Sequence, residues 1–273
     1  MYYSDFDEKE KYFSQSDYIN TIEELYSFVE KHKYNREFFF RGVNEAKYKL
    51  FTSAQRKWLL ENVKVHSGSL SYNSFIDCLI YQFYRTRGNL MERYFKSLGL
   101  PTDDMNALCY MQHYGAPTPL LDFTTRVNVA LYFATLDVEY KNTNSIDDYF
   151  SLYLLEQTNE HIVEYEERYN KLSKLTNQNK LYLVNIKSKS CKCPHFLNLA
   201  PNNLNMIAQS GVLLMNYNEF EPIESMSRIR CVNIHKSLVS NIHYYLSQKR
   251  ITKRQLFPNP SDVVQDCTKL LGL

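Results

Sequence analysis

The sequence lacks the features that define several broad classes of protein. It has no apolar run near the ~20 residues that cross a bilayer, and no apolar stretch follows a basic start. Neither sign of charge dominates, since 32 lysine and arginine residues face 30 aspartate and glutamate residues. We therefore expect a soluble, cytoplasmic protein without the global positive charge of a nucleic-acid binder. The composition is still compatible with a local basic patch.

Linkers, repeats and common catalytic motifs are absent as well. Glycine and proline number only 7 and 8, and they form no linker with serine. Six cysteines in 273 residues do not require a disulfide framework. The P-loop, the dinucleotide-binding glycine pattern, the HExxH motif and the nucleophile elbow do not occur. Hydrophobic residues make up 44% of the chain, which predicts a packed globular core.

Hydrophobic periodicity predicts one α+β domain, with a helix-rich first half and a mostly antiparallel sheet that the second half completes. Thr21 and Glu24 have the spacing of a capping box at the start of a helix. Residues 1–15 are expected to form an arm, and 16–273 the domain, with a charged helical insertion near 156–179. The further predicted helices are 71–97, 104–114, 236–249 and 261–271, and the predicted strands are 36–42, 150–155, 180–186, 212–215 and 228–234.

The segment 112–134 has the most informative local pattern. A Gln-His-Tyr-Gly turn signal is followed by Leu-Leu-Asp-Phe-Thr and then by an apolar helix. Asp122 and Thr124 stand among apolar residues, where a carboxylate without a partner is costly. Two interpretations stay open: a polar side chain within 124–128 caps the helix, or Asp122 orients a basic partner in a pocket.

Arg41 ends an aromatic strand and precedes Gly42. A glycine allows close approach to the backbone, and a guanidinium fork can hold a phosphate or carboxylate through two bonds. We predict that Arg41 binds a ligand. The structural alternative is a buried ion pair with Asp122.

His113 lies at the end of a predicted helix, before Gly115. A histidine at this position interacts favourably with the helix dipole and can cap carbonyl groups. It can equally contact a ligand or transfer a proton near neutral pH. Both interpretations stay open.

A metal site is not expected. Cys191, Cys193 and His195 could begin such a site, with Cys231 and His235 completing it. Paired cysteines of structural zinc sites are normally two to four residues apart, whereas a single residue separates this pair. No second cysteine pair follows, and we favour free thiols in a surface loop.

In their order, the motifs resemble the FRG domain family, which is abundant in bacteria and phages and is named for an N-terminal Phe/Tyr-Arg-Gly motif. The resemblance extends over about residues 20–271. The matching pieces are Phe40-Arg41-Gly42, Gln112-His113-Tyr114-Gly115, Pro117-Thr118, Leu120-Leu121-Asp122-Phe123-Thr124, Ala130-Leu131-Tyr132-Phe133-Ala134, Gln209 with Gly211, and Leu256-Phe257-Pro258.

The resemblance implies a nucleotide-sized pocket in which Arg41, Gly42 and Thr124 bind the ligand. The Arg-Gly strand also resembles the first strand of ADP-ribosyltransferase toxins, where the arginine contacts the phosphates of NAD. On this analogy the fold is ADP-ribosyltransferase-like and Arg41 binds pyrophosphate. Gln209 lies near the position of a catalytic glutamate; it cannot take a proton but can hydrogen-bond a ribose hydroxyl.

Two positions depart from the family pattern. Pro119 stands where the family usually has an arginine, and Asn205 stands where it often has another. A phosphate pocket would lack both basic groups. The departures indicate either a different ligand preference or a loss of activity.

We therefore expect an effector of a bacterial or phage toxin or defence system that binds NAD and transfers ADP-ribose or hydrolyses NAD. The expected catalytic residues are His113, Asp122 and Gln209. Its partners would be a nucleotide-like molecule and a macromolecular target or neutralising protein, not a membrane. The alternative is a non-catalytic module that binds a protein or nucleic acid, and a third interpretation is an RNA-cleaving enzyme that uses His113.

Overall fold

A computed structural model describes most of the chain. The described residues are 1–13, 15–34, 37–60, 71–140, 142–156, 195–197, 203–225, 229–259, 261, 262, 265 and 268. The predicted strand 180–186, nearly all of the predicted insertion, Cys191, Cys193 and most of the predicted helix 261–271 lie outside them. Among the described residues, no helix has the length and apolar character that crossing a membrane requires.

The described chain contains α-helices and strands in mixed order. The α-helices are α1 (Phe6–Glu10), α2 (Ile22–His32), α3 (Ser53–Leu60), α4 (Tyr72–Ser97), α5 (Asp104–His113), α6 (Val127–Ala134), α7 (Leu204–Gln209), α8 (Val239–Gln248) and α9 (Lys253–Leu256). The strands are β1 (Gln15–Ile19), β2 (Phe38–Val43), β3 (Leu120–Thr124), β4 (Tyr149–Glu156), β5 (His195–Leu197), β6 (Gly211–Met215) and β7 (Ile229–His235).

The strands form one sheet in the order β1-β7-β4-β2-β3-β6-β5. All neighbouring strands are antiparallel except β1 and β7, which are parallel. The predicted single α+β domain with a mostly antiparallel sheet is thus confirmed. Within the described chain, the central strands β2 and β3 pair only through Phe40 and Thr124, whereas β2 and β4 pair over six positions. The sheet is therefore split in its middle.

Alternation along β2 assigns its side chains to the two faces of the sheet. Phe38 and Phe40 enter a core beneath α2, α6 and α8, and Phe39 enters a second core on the opposite face. Because successive side chains alternate, Arg41 belongs to the face of Phe39. Gly42 belongs to the face that α6 covers.

Several local predictions are confirmed. Thr21 and Glu24 form both bonds of the capping box that starts α2. The predicted helix 71–97 corresponds to α4, which bends at Arg87, where the backbone leaves helical geometry. Ser71 caps this helix by accepting a bond from the backbone N–H of Ser74.

Residues 1–13, which we expected to belong to an arm, instead pack against the body of the protein. The aromatic side chains of Tyr3 and Phe13 are buried. Lys9 is fully buried as well, and its ammonium group reaches across to strand β4 and strand β7. The segment has many charged residues and no clear period, so its sequence gives no sign that these contacts form.

The structure also defines the local setting of three predicted site residues. Asp122 and Thr124 lie in β3, a strand that the sequence analysis did not predict. The helix that follows has Arg126 at its N-cap, without a side-chain capping bond. Gln209 does not enter a strand directly, because it is the last residue of α7, and Ser210 then turns the chain in the left-handed conformation.

Candidate functional site

A cavity of about 570 Å³ adjoins the split between β2 and β3. Its size falls within the range of small-molecule and cofactor pockets. All six residues that the sequence analysis selected line it, namely Arg41, Gly42, His113, Asp122, Thr124 and Gln209. The fold therefore brings these residues to one place, while the role of each remains a prediction.

Arg41 bridges the split in the sheet. Its Nη1 donates a hydrogen bond of 2.6 Å to the backbone carbonyl of Asp122. Its Nε is buried and has no hydrogen-bond partner in the part of the chain that the structure describes. Among the described residues, no ion pair joins the guanidinium to the carboxylate of Asp122, so the structural alternative considered for Arg41 is not formed.

The electrostatic setting of Arg41 combines three effects. Burial lowers the pKa of the guanidinium, the negative charge of Asp122 raises it, and the positive charge of Arg56 lowers it. Arginine has so high an intrinsic pKa that it stays charged in proteins. The cavity thus contains a permanent cation whose hydrogen-bonding capacity is only partly used.

Asp122 has a neutral partner in place of the expected basic one. Its Oδ2 accepts a hydrogen bond of 2.6 Å from Nε2 of Gln112. The amide oxygen of Gln112 accepts in turn from the hydroxyl of Thr118. Sequence reasoning quoted Gln112 only as part of a motif, and the polar character of that motif was the signal that it belongs to the site.

His113 is the last residue of α5, and its ring lines the cavity. Its Nε2 is buried and has no hydrogen-bond partner. Burial lowers the pKa of this histidine, and the charge of Asp122 opposes the shift. The neutral ring is therefore favoured near pH 7, and a neutral imidazole can either donate or accept a hydrogen bond.

Thr124 and Gln209 tie structural elements together. The Thr124 hydroxyl donates to the carbonyl of Gln209 at 2.7 Å and accepts from the backbone N–H of Arg126 at 3.1 Å. The Gln209 amide nitrogen donates to the carbonyl of Leu256 at 3.0 Å. These bonds fix the cavity wall where β3, α7 and α9 meet.

Gly42 lines the cavity, and it also leaves room for a helix to pack on the sheet. A Cβ atom at this position would lie 1.9 Å from the carbonyl oxygen of Ala130 and 2.7 Å from the backbone nitrogen of Ala134. Such distances are far below van der Waals contact. Glycine is required here because α6 packs directly on the backbone of β2.

Sequence reasoning missed two cationic side chains that line the cavity, Lys49 and Arg56. Lys49 pairs with Glu8 at 2.8 Å. Arg56 donates through Nη1 to the carbonyl of Phe51 at 2.8 Å. Neither residue belongs to a recognisable motif, so only the folded chain places them at the site. Asn205, one of the two departures from the family pattern, also lines the cavity.

Of the cysteines considered for a metal site, Cys231 lies within the described residues, whereas Cys191 and Cys193 lie outside them. Cys231 is fully buried in β7, where its thiol lies 3.5 Å from the side-chain oxygen of Asn233. The His235 ring at the end of the same strand contacts the hydroxyl of Ser237. Among the described residues, no group of three or more potential ligands could hold a metal ion.

The fold and the cavity define a single-domain α+β protein with a polar pocket beside a split sheet. Residues 36–143 match the family model of the FRG domain, which supports the resemblance that the motifs indicated. Five of the six predicted site residues lie inside the matched segment, and Gln209 lies beyond it. No curated protein and no solved structure matches the chain.

Proposed function

We propose that the cavity binds a phosphate-bearing nucleotide, with NAD as the first candidate. The protein would act in the cytoplasm of a bacterium as an effector of a bacterial or phage toxin or defence system. The observation that carries the proposal is that Arg41 and His113 line one cavity, and that each has a buried nitrogen without a hydrogen-bond partner among the described residues.

Unpaired buried polar atoms are uncommon because each costs roughly 1–3 kcal/mol. A ligand that offers acceptors to both nitrogens would remove this cost. Phosphate oxygens suit Arg41, since guanidinium–phosphate bonds are charge-assisted and directional. A ribose hydroxyl suits the neutral ring of His113, because a hydroxyl can accept or donate.

The reaction to test is cleavage of the bond between nicotinamide and ribose. In NAD hydrolysis, water would add to the ribose carbon as nicotinamide leaves, and in ADP-ribosyl transfer a nucleophile of a target would replace water. His113, Asp122 and Gln209 are the proposed catalytic residues. Asp122 is the group with the right charge to stabilise a positive ribose centre, and Gln209 can only hydrogen-bond.

A second function, binding without catalysis, is favoured by the bonds of the same residues. The carboxylate of Asp122 is held by Gln112, and the amide of Gln209 by the backbone of Leu256. Both side chains would then have structural roles. In that case a nucleotide, or a protein or nucleic-acid partner, would be bound and released unchanged.

The binding proposal is tested by thermal shift with NAD, ADP-ribose, ATP and a short RNA. A ligand at 100 times its dissociation constant stabilises a protein by about 2.7 kcal/mol, which the method resolves. Arg41→Ala should remove the shift while remaining folded. Arg93→Ala, an exposed arginine on α4 outside the cavity lining, is the matched control and should keep it. No shift with any nucleotide in the wild type would refute the proposal.

An assay of nicotinamide release from NAD then distinguishes catalysis from binding alone. If the protein is an enzyme that uses His113, His113→Asn should lower the rate of nicotinamide release by about 10²-fold or more. Binding of NAD without nicotinamide release, with and without a candidate target, would favour the non-catalytic function.

A further inference from the structure

We infer that Arg56 is a second anion-binding residue of the cavity, and that the preferred ligands carry a diphosphate rather than a single phosphate. The inference rests on the proposed nucleotide pocket and deepens it. Two arginines from different elements, Arg41 on β2 and Arg56 on α3, line the same cavity.

Arg56 retains hydrogen-bonding capacity. Its recorded bond runs from Nη1 to the carbonyl of Phe51, five residues earlier, and orients the guanidinium. A guanidinium has five N–H donors, so a single bond leaves the greater part of the fork for other acceptors. Within the described chain, no carboxylate lies within ion-pair distance of this side chain.

The side chains of Arg41 and Arg56 line one cavity, so both positive charges belong to the same site. The charge of Arg56 is one cause of the lowered pKa of Arg41, after the larger effect of burial. Like charges in one partly buried site are unfavourable unless an anion lies between them. A diphosphate would provide such an anion, with one phosphate for each guanidinium fork.

Lys49 does not provide the same function, although it also lines the cavity. Its ammonium group is paired with Glu8, which neutralises its charge. The nearby carboxylate of Asp122 is bonded to Gln112, and the Arg41 Nε beside it has no acceptor. Of the three cationic side chains that line the cavity, Arg41 and Arg56 are therefore the two that are free to bind an anion.

The test compares AMP with ADP, which share base and ribose and differ by one phosphate, and adds ADP-ribose and inorganic pyrophosphate. Affinities are measured by calorimetry for the wild type, Arg56→Ala, Arg56→Lys and the control Arg93→Ala. The wild type should bind ADP at least ~10-fold more tightly than AMP. Arg56→Ala should weaken ADP about 10- to 100-fold and AMP less than about 3-fold, since only the second phosphate loses its partner. Arg56→Lys should recover part of the loss because a point charge remains.

The outcomes distinguish a failure of the Arg56 inference from a failure of the proposed nucleotide pocket. An ADP to AMP ratio that Arg56→Ala leaves unchanged would overturn the inference, even if Arg41→Ala weakens both ligands and so supports the nucleotide pocket. If Arg41→Ala changes the affinity for no nucleotide, the proposed function fails together with the inference. Arg56 is exposed on α3, so its variants should fold, and their unfolding temperatures provide the check.

Discussion

Lys9 and Arg41 are both cations set into the body of this protein, and their surroundings differ. The Lys9 ammonium donates three hydrogen bonds of 2.7 Å, to the carbonyl of Ala46, the hydroxyl of Ser151 and the side-chain oxygen of Asn233. An ammonium has three donors, so each is used. Arg41 has one recorded bond and a buried Nε without a partner.

The difference separates a structural group from a binding group. Neither cation forms an ion pair with a carboxylate among the described residues, so charge alone does not distinguish them. What distinguishes them is the number of donors that the protein itself satisfies. All three donors of Lys9 are satisfied by the protein, whereas Arg41 lines a cavity and has a donor for which the described residues supply no acceptor.

The largest expected effect is the loss of stability on replacing Lys9. Lys9→Met keeps the apolar stem and removes one donor from each of three buried oxygens, of which that of Asn233 still accepts from the Ser151 hydroxyl. We expect a loss of about 2–4 kcal/mol in the free energy of unfolding, because each buried unpaired group costs roughly 1–3 kcal/mol and the removed desolvation cost offsets a part. Denaturant unfolding measures the change.

Lys11→Met, at an exposed position just after α1, is the control and should change stability by less than about 0.5 kcal/mol. The affinity of the folded Lys9→Met protein for ADP should equal that of the wild type. A variant as stable as the wild type, or one that loses ADP binding while folded, would contradict the distinction between the two cations.

The next effect concerns Gly42, a residue of the site whose function is packing. Gly42→Ala would place a Cβ 1.9 Å from the carbonyl oxygen of Ala130, and α6 would have to move. We expect a loss of about 1–3 kcal/mol, as for other overpacked positions. Gly88→Ala in α4 is the matched control, since its nearest contact would be 3.8 Å away, and it should be neutral or stabilising. Equal unfolding midpoints for the two variants would be inconsistent with this role of Gly42.

A smaller effect should appear in the pH dependence of stability. Burial lowers the pKa of His113, so below the unfolded value of about 6.5 the unfolded chain takes up a proton that the folded chain does not. The contribution of His113 to the free energy of unfolding is therefore fully present above pH ~6.5, and it is lost as the pH falls toward the pKa of the folded state. His113→Asn should reduce the loss between pH 7.5 and 5.5 by up to about 1.4 kcal/mol.

His32 provides the comparison for this measurement. Burial lowers its pKa too, and its Nδ1 contacts the carbonyl of Phe28, outside the cavity. Saturating pyrophosphate should raise the pKa of His113 by adding negative charge and so diminish its contribution to the pH dependence. The contribution of His32 should stay the same, and an equal response of both histidines would argue against anion binding beside His113.

The sequence predicted those parts of the fold that depend on short, strong patterns. Strands β2, β4, β6 and β7 follow apolar runs, and α2 follows its capping box. Strand β3 was missed because Asp122 interrupts a short apolar run that leads into a helix. The packing of residues 1–13 was missed because Lys9 finds partners 142 and 224 residues away in sequence, which no local pattern reveals.

The candidate site shows the same limit. Family motifs selected six residues that do line one cavity, but they did not reveal which atoms bond. Asp122 has Gln112 as its partner instead of Arg41, and Gly42 accommodates α6. Arg56 has no motif at all, since its place depends on how α3 packs beside the sheet. Hydrogen-bond partners depend on tertiary geometry, and periodicity does not encode them.

The smallest effect we predict would add a third cation to the comparison. Lys49 lowers the pKa of Glu8 to about 2 through their hydrogen bond, so the pair persists at neutral pH. Glu8→Gln would release the Lys49 ammonium at the cavity wall and should tighten ADP about 2-fold, an effect that salt weakens. Glu10, on the same helix as Glu8, accepts a hydrogen bond from Tyr18 of β1, and Glu10→Gln is the control that should leave the affinity unchanged. Weaker ADP binding in Glu8→Gln would mean that the pair positions Lys49 for the ligand, and calorimetry at two salt concentrations distinguishes the two outcomes.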